Sequence, residues 1–244
     1  TNRARQRVQP TNVRQDFARK SRHNHYPCQT MQSAVEISMS VQSIMSIGPV
    51  IPVVIIENIY DAIPLADALI KGGIGTIEIT LRSTVALDAI ALISKERPDL
   101  TTGAGTVLNP SQLRKVQETG ADFVVSPGVY PELLKSARDS GVVFLPGAAT
   151  ASEMMVLLAN GITAMKFFPA NSAGGPGYLT ALASPLADAT FCPTGGITIE
   201  TAMDWLSLPN VECVGGTWVA PKDMLAKGDF EGIAENAKAC SALN

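Results

Sequence analysis

The chain has 244 residues, of which 46% are hydrophobic, and its formal net charge is −3. This length suits a single α/β barrel, which commonly takes roughly 250 residues. No apolar run approaches the ~18 residues that a membrane helix needs. The four cysteines are widely spaced, without a Cys-x-x-Cys motif or a Cys/His cluster. The sequence therefore argues against a membrane protein, a disulfide framework and a zinc site, and favours a reducing compartment such as the cytoplasm.

The N-terminal segment differs from the rest of the chain. Residues 1–30 hold seven basic side chains and one acid, whereas residues 31–244 hold 12 basic and 21 acidic residues, a formal net of −9. An acidic body argues against nucleic acid as a partner. We interpret residues 1–31 as a basic disordered extension before a domain over residues 32–244, and an organelle transit peptide stays open as the alternative.

Both histidines, His23 and His25, lie in this extension. The predicted domain has none, so a Ser-His-Asp triad or a His-ligated metal is not expected there. Proton transfer in the domain must use Glu, Asp, Lys, Tyr, Cys or water.

After the extension, Ser33–Ile47 is predicted to form a short amphipathic helix, and a strand–turn–helix pattern then repeats eight times. The predicted strands are Val50–Ile56, Thr76–Leu81, Thr102–Val107, Phe123–Ser126, Val142–Pro146, Ala164–Phe168, Ala189–Pro193 and Glu212–Gly215. The predicted helices include Ile59–Lys71, Ala86–Glu96, Ser111–Thr119, Pro131–Ser140, Ala151–Asn160 and Ile199–Leu206. Regular alternation predicts a parallel sheet, and eight units favour a single (β/α)8 TIM barrel with an extra N-terminal helix. An open doubly wound sheet is the alternative, but no Gly-x-Gly-x-x-Gly motif follows the first strand.

Active sites of such barrels lie at the C-terminal ends of the strands. On the second strand, Glu78 and Arg82 share the face opposite Ile77 and Ile79, because side chains alternate along a strand. In a closed barrel the charged face points into the lumen, where a carboxylate is costly unless it is paired or functional. Arg82 can grip a substrate carboxylate through two parallel hydrogen bonds. An internal ion pair of Glu78 with Arg82 or Lys166 is the structural alternative.

Two further candidate substrate-binding residues lie at the C-terminal ends of the third and fourth strands. Thr106 ends the glycine-rich run of the third strand and can offer its hydroxyl to a bound carboxylate. Pro127, after the fourth strand, stiffens the rim and is a candidate substrate contact. A purely structural turn is the alternative at both positions.

The sixth strand carries a lysine, Lys166, inside an apolar run that ends at Phe168. A lysine in the lumen is desolvated, which favours the neutral amine, and only the neutral amine attacks a carbonyl. Phe168 is expected to layer beside it. A snorkelling or ion-paired lysine is the alternative. Lys166 as imine former, Arg82 as carboxylate clamp and Glu78 as acid–base group together predict a 2-keto acid substrate.

The last two strands each end in a Gly-Gly turn, at the place where barrels often bind phosphate. Glycines let main-chain N–H groups approach an anion closely, and adjacent hydroxyls add donors. Ordinary tight turns are the alternative. The candidate residues of these turns are Thr194, Gly195, Gly196, Gly215, Gly216 and Thr217. A third glycine-rich segment, residues 174–177, is predicted to be a flexible loop at the same rim.

Six motifs resemble the 2-keto-3-deoxy-6-phosphogluconate (KDPG) and 4-hydroxy-2-oxoglutarate (KHG) aldolases, over roughly residues 47–237. They are Glu78-Ile79-Thr80-Leu81-Arg82, Gly103-Ala104-Gly105-Thr106-Val107-Leu108, Ser126-Pro127-Gly128, Lys166-Phe167-Phe168-Pro169-Ala170, Phe191-Cys192-Pro193-Thr194-Gly195-Gly196 and Gly215-Gly216-Thr217-Trp218. The resemblance implies a class I aldolase that needs no metal or cofactor and that forms a homotrimer. It implies that KDPG is cleaved to pyruvate and glyceraldehyde 3-phosphate.

The resemblance also implies roles for individual residues. Lys166 matches the Schiff-base lysine and Glu78 the general acid/base, while Arg82 and Thr106 match residues that bind the pyruvate moiety. The turn positions Gly195, Gly196, Gly215, Gly216 and Thr217 match the phosphate-binding turns.

Two segments depart from the family pattern. Residues 148–149 are Ala-Ala where Ile-Ser or Ile-Thr is usual, and residues 171–173 lack the Glu often found after Pro-Ala. Both lie near the expected position of the aldehyde portion, so they bear on substrate preference. KHG, which gives pyruvate and glyoxylate, is therefore the alternative substrate. A non-catalytic barrel that binds a phosphorylated metabolite and a phosphosugar isomerase are alternatives from other classes.

Overall fold

A computed structural model describes residues 39–243 of the chain. The predicted extension, residues 1–31, and residues 33–38 of the predicted first helix lie outside the described residues. The strands are β1 Val50–Val54, β2 Thr76–Thr80, β3 Thr101–Gly105, β4 Phe123–Val125, β5 Phe144–Leu145, β6 Gly147–Ala148, β7 Ala164–Phe167, β8 Thr190–Pro193 and β9 Val214–Gly216. Every pairing between them is parallel.

The strands close into a barrel. One sheet has the order β5-β4-β3-β2-β1-β9 and the other the order β6-β7-β8. A parallel bridge between Thr194 and Gly215 joins β8 to β9. At the other junction, β5 lies within the predicted fifth strand, Val142–Pro146, and β6 continues the same strand beyond its predicted end. Pro146 separates the two segments, and its carbonyl accepts the Lys166 N–H at 2.9 Å. With β5 and β6 counted as one strand, the predicted eight-stranded barrel is confirmed.

Alternating side chains along the strands fill two separate hydrophobic clusters. Outward positions such as Ile77, Met165 and Phe191 pack under the helices in the larger cluster. Inward positions such as Ile51 and Phe123 form a smaller cluster inside the barrel. This alternation confirms the predicted opposite faces of β2, and it directs Glu78 inward.

The helices are α1 Val41–Met45, α2 Ala62–Lys71, α3 Ala86–Glu96, α4 Pro110–Gln117, α5 Pro131–Ser140, α6 Ala151–Ala159, α7 Gly175–Leu182, α8 Ala202–Leu206, α9 Lys222–Lys227 and α10 Phe230–Ser241. A 3-10 turn, Ile59–Asp61, precedes α2, where the sequence predicted one continuous helix. The prediction of a flexible loop over residues 174–177 is wrong, because α7 begins at Gly175. Pro176 lies in the first turn of this helix, where a main-chain N–H would have no intrahelical acceptor, so proline is tolerated there. Four glycines that follow helices, Gly73, Gly120, Gly141 and Gly161, have left-handed φ angles between 68° and 84°.

Helix α1 covers the N-terminal end of the barrel. Ile44 and Met45 are buried in the inner cluster. Gln42 donates to the hydroxyl of Thr163, which precedes β7. Ser46 donates to the carboxylate of Glu212, which precedes β9. The predicted bounds of this helix, Ser33–Ile47, are wrong within the described residues. The helix begins at Val41, after Ser40 caps it with its side chain, and it ends at Met45. None of the helices that the structure describes has the length and apolar character that crossing a bilayer requires.

Candidate active site

A buried pair of opposite charge lies in the upper half of the lumen. Lys166 Nζ is 2.9 Å from both Oε1 and Oε2 of Glu78. Lys166 is 5% exposed and Glu78 is 3% exposed. Two charges removed from water are costly even when paired, so such a pair is a poor means of stabilising a barrel. The distance allows direct proton exchange between the amine and the carboxylate.

Neighbouring strands make room for this pair. Glu78 lies level with Gly103 of β3, and Lys166 with Gly147 of β6. A side chain on Gly105 would overlap the Glu78 carboxylate, so the glycine at that position is required by close packing. The Lys166 ammonium lies 5.7 Å from the centroid of the Phe168 ring, which covers it from the mouth of the barrel.

Arg82 follows β2 at the mouth of the barrel. Its Nε donates to the Thr106 hydroxyl at 3.1 Å. Thr106 has a φ of 59°, which is unusual for a β-branched residue and costs conformational energy. Strain of this kind is retained where surrounding structure imposes it, and here it turns the Thr106 hydroxyl toward Arg82. Within residues 39–243, no carboxylate pairs with the guanidinium, so its terminal nitrogens are available to a substrate.

A cavity of about 190 Å³ connects these groups. Eight of the twelve predicted site residues line it: Arg82, Lys166, Phe168, Thr194, Gly195, Gly196, Gly215 and Thr217. Two apolar residues that the sequence analysis did not single out, Val53 and Ile197, complete its wall. Val53 pairs with Glu78 in the β1–β2 register, so knowledge of the barrel register would have identified it.

The turn after β8 lies against the loop after β7. The carbonyls of Thr194 and Gly195 accept the main-chain N–H groups of Ala170 and Asn171, at 2.8 and 3.1 Å. Gly195 and Gly196 have φ angles of 110° and 77°, which L side chains rarely adopt. A side chain on Gly215 would overlap that of Thr194, so this glycine lets β8 and β9 approach at the cavity floor.

The family model described as "Aldolase: KDPG and KHG aldolase" matches residues 41–236. This chain belongs to the KDPG and KHG aldolase family. The "KHG/KDPG aldolase" of Escherichia coli (strain K12) is 45% identical over 199 residues, which are 82% of this chain and 93% of that protein. The residues that match the family model include every strand of the barrel.

Two solved structures of this aldolase family superpose closely on the chain. The KDPG aldolase from Legionella pneumophila, "with pyruvate captured at low pH as a covalent carbinolamine intermediate", has a TM-score of 0.81 at 42% identity and covers 82% of this chain and 98% of that one. The KDPG aldolase of Zymomonas mobilis ZM4 "with 3-phosphoglycerate" has a TM-score of 0.79 at 45% identity and covers 83% and 95%. These relatives support the TIM-barrel fold and a class I aldolase.

Four predicted site residues of this aldolase lie outside the cavity wall. Glu78 and Thr106 lie directly behind it, in contact with Lys166 and Arg82 respectively. Pro127 packs against the backbone of Gly147. Gly216 faces the opposite side of β9 from Gly215 and lies beneath the Trp218 ring, where a side chain would not fit.

Other features of the aldolase offer less chemistry. A cavity of about 240 Å³ between α5 and α6 is larger, but apolar and basic side chains such as Val129, Leu134 and Arg138 line it, without a carboxylate. Within the described part of the chain, no group of three or more His, Cys, Asp or Glu side chains is placed to hold a metal ion. Of these two cavities, the one that contains Lys166 is the one with a carboxylate in contact with a wall residue.

Proposed function

We propose that this class I aldolase cleaves KDPG to pyruvate and glyceraldehyde 3-phosphate, with Lys166 as the imine-forming residue and Glu78 as its acid–base group. The observation that carries the proposal is the buried contact of Lys166 Nζ with both carboxylate oxygens of Glu78, at 2.9 Å. A buried lysine at the wall of a cavity, against a proton acceptor, is the arrangement that imine formation needs.

Imine formation begins when Glu78 takes a proton from the Lys166 ammonium. The neutral amine attacks C2 of the keto acid, giving a carbinolamine. Glu78 returns a proton to the departing hydroxyl, water leaves, and an iminium remains. The low exposure of both side chains limits competition from solvent at each proton transfer.

Arg82 orients the keto acid by binding its C1 carboxylate. A guanidinium forms two parallel hydrogen bonds with a carboxylate, and the Thr106 hydroxyl fixes Arg82 through its Nε. This placement directs C2 toward Lys166. Correct orientation is a large part of the rate advantage in such reactions.

Carbon–carbon cleavage then uses the iminium as an electron sink. Glu78, directly or through a water molecule, accepts the proton of the C4 hydroxyl, and the C3–C4 bond breaks. The electron pair of that bond moves to the imine nitrogen, so an enamine of pyruvate stays on Lys166 and the aldehyde departs. Glu78 protonates C3 of the enamine, and water hydrolyses the resulting imine to release pyruvate.

The Gly-Gly turns support a phosphorylated substrate. Gly195, Gly196, Gly215 and Thr217 line the cavity wall, and nearby main-chain N–H groups favour an anion. The Zymomonas mobilis relative, whose solved structure holds 3-phosphoglycerate, supports the same interpretation. The E. coli relative is a KHG/KDPG aldolase, so we propose KHG as a second and poorer substrate, because it lacks the phosphate.

Family membership further supports a homotrimer in the cytoplasm, with residues 1–31 as an extension outside the 32–244 catalytic domain. Light scattering on the purified full chain tests the trimer. A mass corresponding to one copy of the 25.7 kDa chain would contradict it.

A direct test compares cleavage of KDPG and KHG by the wild type and by Lys166→Ala, with the exposed Lys135→Ala as a matched control. We expect pyruvate release from both substrates, faster from KDPG, by the wild type and Lys135→Ala, and none above background from Lys166→Ala. Binding of KDPG without turnover would indicate a non-catalytic barrel. Activity that survives Lys166→Ala would indicate chemistry without an imine.

A further inference from the structure

One side chain outside the proposed catalytic set holds the turn after β8. Three consecutive carbonyls of that turn, at Thr194, Gly195 and Gly196, accept hydrogen bonds from the loop after β7. Main-chain N–H groups make the first two bonds. The third comes from the side chain of Asn171, whose Nδ2 donates to Gly196 O.

These bonds determine where the N–H groups of the turn point. In a trans peptide unit, the carbonyl of one residue and the N–H of the next point in opposite directions. Because the three carbonyls face the β7 loop, the N–H groups of Gly195, Gly196 and Ile197 face away from it. The Gly195 N–H faces Gly215 in the bridge between β8 and β9. Among the described residues, the N–H groups of Gly196 and Ile197 have no protein acceptor, and both residues line the cavity. Successive free N–H groups of this kind form an anion-binding concavity.

The peptide after Gly196 depends most on Asn171. Gly196 is exposed and has a φ of 77°. Because glycine has no side chain, the peptide after it can rotate to other conformations at little cost. Its carbonyl has Asn171 as its partner in the described residues. Without that bond, the peptide can turn its carbonyl oxygen toward the cavity, where it would repel a phosphate and withdraw the Ile197 N–H.

We propose that Asn171 is a positioning residue that sets the specificity of this aldolase for 2-keto acids whose far end carries a phosphate. It acts through the turn rather than by touching the reacting atoms. This inference rests on the proposed function, since it concerns the distal end of the same substrate. Asn171 is therefore expected to influence the choice between KDPG and KHG, and not the chemistry at Lys166.

Two variants of Asn171 test the proposal, with Ser172→Ala as a control in the same loop. Asn171→Ala removes the donor, and Asn171→Asp keeps the shape while replacing the donor by an oxygen that repels the Gly196 carbonyl. The measurements are kcat and KM for both substrates, competitive inhibition by inorganic phosphate, and borohydride trapping of pyruvate on the enzyme.

For Asn171→Ala we expect KM for KDPG to rise about tenfold, with kcat changed less than about twofold, as loss of one hydrogen bond predicts. The preference for KDPG over KHG falls by the same factor, and phosphate inhibits about tenfold less well. Asn171→Asp shows a larger effect, because a negative charge is added. Pyruvate trapping is retained in both variants, and Ser172→Ala behaves as the wild type.

Equal changes for KDPG and KHG, or unchanged inhibition by phosphate, would overturn the assignment of Asn171. A loss of pyruvate trapping in both variants would do so as well, because it would mean that Asn171 supports the whole site. Failure of the proposed function is distinguishable, since the wild type itself would then neither trap pyruvate nor cleave either substrate.

Discussion

The two halves of the barrel lumen are built from the same strands, yet they hold opposite kinds of side chain. In the lower half, Ile44 and Met45 of α1 close a dry cluster with inward residues such as Ile51 and Phe123. In the upper half, the same inward alternation brings Lys166 against Glu78 beside an open cavity. The lower half stabilises the barrel and excludes water beneath the pair. The upper half buries two charges, which costs desolvation energy but places the groups that the proposed reaction uses.

The largest effect that separates the halves is expected at Glu78. Glu78→Gln keeps the shape of the side chain but cannot accept a proton, so we expect kcat on KDPG to fall about 10²- to 10⁴-fold. The free energy of unfolding should fall as well, by at most about 3–5 kcal/mol, because Lys166 loses its charged partner. Steady-state kinetics and urea unfolding measure the two quantities. The exposed Glu57→Gln at the same mouth is the matched control, and equal losses in both variants would refute the special role of Glu78.

A substitution in the lower half should lower stability and leave the chemistry intact. Ile44→Ala removes a side chain buried under the barrel, so the free energy of unfolding should fall by about 2–4 kcal/mol, while kcat stays within about twofold of wild type. Ile47→Ala, at an exposed isoleucine of the same segment, should cost little. If Ile44→Ala instead lowers kcat without lowering stability, the division between the halves is wrong.

Two glycines of β3 test the boundary between the halves within one strand. A side chain on Gly105 would meet the Glu78 carboxylate, and one on Gly103 would meet the Phe123 ring. Gly105→Ala should therefore lower kcat about 10²-fold by displacing Glu78. Gly103→Ala should mainly lower the free energy of unfolding, by about 1–3 kcal/mol from overpacking. Steady-state kinetics and urea unfolding of both variants measure these two losses. Identical losses of kcat and of stability in the two variants would contradict the prediction.

The smallest effect concerns pH. A hydrogen bond with Cys192, together with burial, raises the pKa of the Cys213 thiol well above its ordinary value of 9.0. A raised pKa contributes stability below pH 9.0 that is lost as the pH rises toward the folded value, by at most about 1.4 kcal/mol per pH unit. Between pH 8 and 10, urea unfolding of Cys213→Ala should therefore show a shallower loss of stability than the wild type. Parallel pH profiles would contradict this.

The sequence alone predicts much of this division. Alternation on β2 and a lysine inside an apolar strand were enough to direct Glu78 and Lys166 into one lumen. The break of the fifth strand at Pro146 follows from the missing N–H of proline, although the apolar pattern conceals it. The left-handed Thr106 and the contact of Asn171 with Gly196 depend on neighbouring loops that only the tertiary structure brings together.

The most direct test of the account is borohydride reduction of the full-length protein in the presence of pyruvate, followed by peptide mass mapping. We predict a single reduced pyruvate adduct on the peptide that contains Lys166, and a much slower formation of that adduct in Glu78→Gln. An adduct at another lysine, or none under conditions where the enzyme turns over, would contradict the central claim that the upper lumen is built around an imine-forming amine.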